Sequence, residues 1–255
     1  MGSEIVKGAS LRQRIRDGQR VIGTFIKTPT PHVAEIVGLA GLDFAVADME
    51  HGPIGLSDLD GLSLGARSVG LPLLFRSAGR EASAIWPGLD LGCIGVMTPH
   101  VESADQADAL VCAVKYHRGA RGFSPSGRAG LYGTEGAGRY RARADAETVI
   151  MAQIEDRAAL ANLDAIATTP DIDVLFVGPA DLSLSLGCAM TAPELDDAIM
   201  ATIKAARAAG IAAGLFLGNP DQVAKWADAG ATVFVVGSDQ SLLLAGAREV
   251  MRASS

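Results

Sequence analysis

A short apolar run followed by a longer alanine-rich segment recurs along this chain, and that rhythm limits the folds open to it more than any other feature. Runs rich in Val, Ile, Leu and Phe fall at residues 21–26, 43–48, 71–76, 95–97, 149–154, 173–177, 211–217 and 232–236. Each is near the ~4–8 residues of a strand buried on both faces, continuous in hydrophobicity rather than alternating. Helices are expected between and after them, over 31–40, 58–68, 82–91, 104–116, 157–167, 193–209, 221–229 and 240–252. Ser57 precedes one, Pro31 and Pro193 sit at first-turn positions, and Gly41, Gly210 and Gly230 close three others. Strand and helix alternating eightfold over 255 residues predict an α/β chain closed into one (β/α)8 TIM barrel spanning 1–255. A doubly wound open sheet fits less well, because no G-x-G-x-x-G follows the first strand.

Composition narrows the function. Lys plus Arg number 22 against 29 Asp plus Glu, a net charge of −7, so a nucleic-acid surface, which needs a basic excess, is not expected. Hydrophobic residues at 49% and charged residues at 20% supply a large core. No uncharged apolar stretch approaches the ~18 residues of a membrane span, so no membrane role is expected. Residues 1–20 carry charges where a secretion signal would be apolar, which points to a cytoplasmic protein. Cys93, Cys112 and Cys188 fit neither a disulfide framework nor a metal spacing. One stretch breaks the rhythm: residues 118–143, rich in glycine, arginine and small polar groups, are expected to form a long loop over one barrel mouth, touching an anionic ligand or simply solvated.

In a barrel, the chemistry collects where strands end. Here the strand ends carry Asp48, Glu50 and His51; Arg76; Gln153 and Glu155; and the turn Gly178-Pro179-Ala180-Asp181. A charge at the end of a buried strand is costly unless paired or metal-bound. Glu155 and Asp181, two carboxylates without Cys or His nearby, suit a hard divalent cation, although each also suits the start of the helix that follows. The turn at 178–181 offers helix-start amides to a small carboxylate. His51 suits a proton shuttle with Asp48 orienting its ring, and Arg76 suits an oxygen that gains negative charge.

These residues, Asp48-x-Glu50-His51-x-Pro53, the arginine closing the next strand, Gln153-x-Glu155 and Gly178-Pro179-Ala180-Asp181-Leu182-Ser183, resemble the HpcH/HpaI aldolase family, from about residue 21 to 248. The resemblance implies a barrel of the phosphoenolpyruvate/pyruvate type and a metal-dependent class II aldolase. Such an enzyme cleaves 4-hydroxy-2-keto acids to pyruvate or hydroxypyruvate and an aldehyde. It implies Mg, Mn or Co on Glu155 and Asp181, pyruvate contacts from Arg76, Gln153 and the Ala180 and Asp181 amides, and His51 with Asp48 as acid–base pair. Asp90 matches a position that reaches a neighbouring subunit's site. A homo-oligomer is implied, a hexamer built as a trimer of dimers, with an exchanged C-terminal helix. Residues 123–128, Lys27 and His100 depart from familiar members and bear on the acceptor aldehyde.

Three other chemistries compete. Lys27, alone among the five lysines in ending a strand, suits an imine-forming aldolase. A metal–enolate site also suits decarboxylation of oxaloacetate or citryl/malyl-CoA-type cleavage. A ligand-binding barrel without turnover is the last.

Overall fold

Each apolar run is a strand, and each pairs in parallel with its successor in the chain. They are β1 (Val21–Ile26), β2 (Phe44–Asp48), β3 (Leu73–Arg76), β4 (Gly95–Thr98), β5 (Val149–Ile154), β6 (Val174–Val177), β7 (Ala212–Leu217) and β8 (Val233–Ser238). β8 returns to β1, so the sheet closes into the expected eight-stranded barrel. The computed structural model describes residues 9–254. Around the strands run α1 (Ala9–Arg16), α2 (Pro31–Leu39), α3 (Leu56–Ser68), α4 (Ala82–Asp90), α5 (Ala104–Val114), α6 (Ala137–Glu147), α7 (Arg157–Leu160), α8 (Leu163–Ala167), α9 (Pro179–Leu186), α10 (Pro193–Ala208), α11 (Val223–Ala229) and α12 (Asp239–Ala253). No helix among the described residues is long and apolar enough to cross a membrane.

Differences from expectation have local causes. The helix expected over 157–167 is broken into α7 and α8 around Asn162. Two helices were not anticipated, α1 and α6, whereas α9 begins at the turn where a helix start was expected. In α6 only Tyr140 and Ala144 are buried, too narrow an apolar stripe to read in a run of arginines. Gly41, Gly210 and Gly230 do close helices, each with positive φ.

Alternation along the strands sorts two cores. Outward residues such as Ala45, Phe75, Val96 and Leu175 pack under the helices. Inward residues, including Phe25, Phe44, Val46, Leu74, Met97, Met151, Phe176 and Val235, fill the barrel. Their bulk needs space: a Cβ on Gly23 would stand 2.7 Å from the Phe44 ring. The same inward parity carries upward to Asp48, Arg76 and Gln153, which is how charged groups reach the carboxyl-end mouth from inside a barrel.

The opposite end is closed by α1. Leu11 and Ile15 join the interior cluster, and Arg12, 4% exposed, donates through Nε to both oxygens of Asp173 at 2.9 and 3.0 Å. Asp173 also accepts the Ile150 amide and pairs with Arg16 at 3.0 Å. Lys115, fully buried nearby, donates to the Asp145 and Thr148 carbonyls, and burial pushes its pKa down to about 8. Residues 118–143 belong to this end too, since they connect the end of α5 to the start of β5. They contain the first half of α6 rather than one long loop. Arg121 contacts the Val114 carbonyl and Asp90, and Arg128 pairs with Asp60 of α3. The mouth this segment borders is the one at the feet of the strands, because a connection entering β5 must lie there, away from the carboxyl ends where a substrate contact would be made.

Along α12 only Asp239 is buried, and Leu242, Leu243, Leu244 and Val250 are exposed. Replacing Asp173 removes both of the bonds to Arg12 Nε and leaves the buried guanidinium with the longer pair to Asp171, at 3.3 Å, as its counter-charge. Asp173→Ala is therefore expected to lose about 3–5 kcal/mol of stability, measured by urea denaturation; a loss under about 1 kcal/mol contradicts the role given to this clasp.

Candidate active site

The strand ends meet at a cavity of about 300 Å³, lined by His51, Arg76, Gln153, Gly178, Pro179, Ala180 and Asp181 from the residues singled out in the sequence. Phe25, Phe176 and Phe216 give it an aromatic floor, and Lys27, Gly218, Ser238 and Ser241 form the wall at β7, β8 and β1.

Asp48 is the most enclosed group here. Its side chain is fully buried, and it accepts Arg76 Nε at 2.9 Å on Oδ1 and Arg76 Nη2 at 2.7 Å on Oδ2. The amides of Glu50 and His51 add 3.2 and 3.1 Å bonds to Oδ1, and Lys27 Nζ stands 3.2 Å from Oδ2. Burial alone would raise its pKa; the bonds and charge of Arg76, the His51 amide and Lys27 outweigh burial and hold it below the usual value. These partners show Asp48 holding Arg76 and the 48–51 backbone. The expected orientation of the His51 ring by Asp48 is corrected accordingly: that ring, half exposed, has Glu50 as its nearest carboxylate, Nε2 to Oε2 at 4.0 Å. Glu50 also takes Arg76 Nη1 at 3.0 Å. The Arg76 guanidinium lies over the Phe25 ring at 4.7 Å.

Across the mouth stands Glu155, 1% exposed. Its Oε2 receives Gln153 Nε2, and its Oε1 receives the His100 amide at 2.8 Å. His100 holds a left-handed backbone, φ +54°, unusual for a side chain with a Cβ and held in place by its surroundings. Its ring bonds Asp156 at 2.8 Å. Burial opposes the charged imidazole, but Asp156, Glu155 and Glu50 overcome that and raise its pKa. For Glu155, burial comes first, and with repulsion from Glu50 and Asp181 it pushes the carboxyl up to about 7. Gly178 has no room for a side chain: a Cβ there would meet Glu155 Oε2 at 2.7 Å and Gln153 Nε2 at 2.8 Å. Gln153 Oε1 is buried without a partner.

Asp90 lies elsewhere. It ends α4 at the foot of the barrel, paired with Arg121 at 3.2 Å, and is not among the residues lining this chain's cavity. The sequence reading gave Glu50 no role of its own and missed the aromatic floor; both follow from strand parity and the Arg76 partner set.

Comparison with known proteins identifies the family. The family model for HpcH/HpaI aldolase/citrate lyase matches residues 21–245. The chain belongs to the HpcH/HpaI aldolase/citrate lyase family. A 2-dehydro-3,6-dideoxy-6-sulfogluconate aldolase of Pseudomonas putida is 36% identical over 233 residues, covering 90% of this chain and 91% of that protein. A hydroxypyruvate/pyruvate aldolase of Pseudomonas aeruginosa is 36% identical over 244 residues, 94% of this chain and 90% of its own. Among solved structures, a family protein from Burkholderia cenocepacia J2315 superposes with TM-score 0.92 at 29% identity, covering 96% and 99% of the two chains.

A carboxyl raised by folding stabilises the fold below its unfolded value and loses that contribution as pH climbs through the folded one. In chelator-treated protein, Glu155 should therefore cost stability between pH about 4.5 and about 7. Melting temperature is expected to fall across that window in the wild type, with a shallower slope in Glu155→Gln; identical slopes contradict the assignment.

Proposed function

We propose that the protein is a divalent-metal-dependent aldolase that reversibly cleaves 4-hydroxy-2-keto acids to pyruvate, or hydroxypyruvate, and an aldehyde. The observation that carries this reading is Glu155: a carboxylate 1% exposed, repelled by the charge of Asp181, and placed behind the cavity-lining Gln153, whose amide oxygen is buried and unpartnered. Such a group asks for a cation. Two carboxylates are a hard-oxygen donor set that suits Mg²⁺, Mn²⁺ or Co²⁺ with positions left for substrate.

Glu155 and Asp181 would hold the cation, which when bound polarises a 2-keto oxygen and shares the charge of an enolate. The remaining work belongs to the chain. The amides of Ala180 and Asp181 open α9 and receive the substrate carboxylate. Asp48 and Glu50 occupy three of the five Arg76 N–H groups and fix the guanidinium beside the cavity. Its free N–H groups meet the C2 oxygen as charge develops there. His51 takes the proton of the C4 hydroxyl, the C3–C4 bond breaks, and the aldehyde leaves. The electron pair passes to C2–C3 as enolate, and protonation at C3 gives the pyruvate methyl. Phe25, Phe176 and Phe216 keep this end of the cavity dry. Lys27 is ion-paired with Asp48, opposite to the desolvated amine an imine route needs.

The reading extends to assembly: a homo-oligomer, a hexamer built as a trimer of dimers, in which α12 exchanges between chains and Asp90 reaches a neighbour's site. The exposed apolar face of α12 and the position of Asp90 far from its own cavity support it. Light scattering is expected to give about six times the 26.2 kDa chain mass; a monomer contradicts the assembly. EDTA is expected to abolish both pyruvate release and exchange of pyruvate methyl protons in D₂O, with Mn²⁺, Mg²⁺ or Co²⁺ restoring them. Asp181→Ala should lower kcat at least about 10²-fold. Full exchange in chelator overturns the proposal.

A further inference from the structure

Lys27 is the one charged group lining the cavity that neither the metal site nor the bond-cleaving steps employ. It stands at the end of β1, and in the barrel order β1 lies diametrically opposite β5, which carries Gln153 and leads to Glu155. A keto acid clamped at β5 and β6 must therefore point its far end toward β1 and β2. There Lys27 and His51 line the wall, with Ser238 and Ser241 adjoining Lys27 from the end of β8.

The Lys27 ammonium is not needed to satisfy its partner. Asp48 already has a bidentate arginine and two backbone amides, and is itself fully buried, whereas the Lys27 side chain is 27% exposed. One contact to Asp48 at 3.2 Å leaves donors of the ammonium for a ligand. The strand end that bears it is fixed by a separate device. Asp239, the first residue of α12, accepts the Lys27 amide at 2.8 Å on Oδ1 and the Thr28 amide at 3.1 Å on Oδ2. A cation held at fixed height, opposite the keto-acid clamp and partly open to solvent, is a reader of charge.

We propose that Lys27 determines acceptor specificity by binding an anionic terminal group, a carboxylate or a phosphate, on the aldehyde half of the substrate. This deepens the aldolase reading and rests on it. Neutral aldehydes occupy the same space without the charge-assisted bond, so they react with lower kcat/KM.

The test pairs acceptors of similar shape: succinic semialdehyde with butanal, and glyceraldehyde 3-phosphate with glyceraldehyde, each added to pyruvate by the metal-loaded enzyme. In the wild type the anionic member is expected to be preferred. In Lys27→Gln the kcat/KM ratio within at least one pair should fall about ten- to a hundredfold, the pair affected naming the anion, and Lys27→Arg should recover part of it. Unchanged ratios in both pairs overturn the proposal. So does an equal loss for charged and neutral acceptors, which a merely structural salt bridge to Asp48 would give. So does borohydride trapping of a pyruvate adduct on Lys27, which would make it a nucleophile. A wild type unable to exchange pyruvate methyl protons in D₂O overturns the aldolase reading itself, and this proposal with it.

Discussion

A carboxylate with no solvent contact, Asp48, gathers five donors from three strands' ends, and the upper layer of the barrel is organised about it. Burying an anion is expensive, and only near-complete compensation makes it tolerable. The arginine forks onto it, the lysine leans on it, and the turn carrying Glu50 and His51 folds back onto it. Removing that anion would leave Arg76 buried beside an aromatic ring with half its partners gone. The ion pair thus sets positions rather than adding net stability, and the positions are those of the groups that face the cavity.

The opposite wall is built on the reverse principle. Glu155 is under-compensated: against burial and two repelling carboxylates it has the amide and, at 3.4 Å, the imidazole of His100, and a neighbouring side-chain amide. The glycine at 178 lets the next strand approach without filling the space. One side of the mouth is electrostatically closed, the other open, and the open side is where a cation adds most.

The barrel was legible because parallel strands covered by helices are written as continuous apolar runs, and eight of them left few alternatives. The strand-end residues Arg76, Gln153, Gly178 and Asp181 were legible for the same reason, since a charge or a glycine ending an apolar run has little structural excuse. What escaped was pairwise. Nothing in the local sequence says that Asp48 prefers an arginine 28 positions away to a histidine three positions on; the parallel register of β2 and β3, which sets Asp48 opposite Arg76, decides that. The barrel end that residues 118–143 occupy was not legible, because glycine and arginine content speaks of a loop but not of which mouth it borders. Chain direction does: a segment entering a strand lies at its foot.

The two amide bonds of Asp239 have a mechanical meaning. They fasten the root of a helix whose flank is greasy and uncovered to the very strand tip that carries Lys27. Whatever packs against that helix therefore bears, through a single carboxylate, on the strand tip that forms the chamber's far wall.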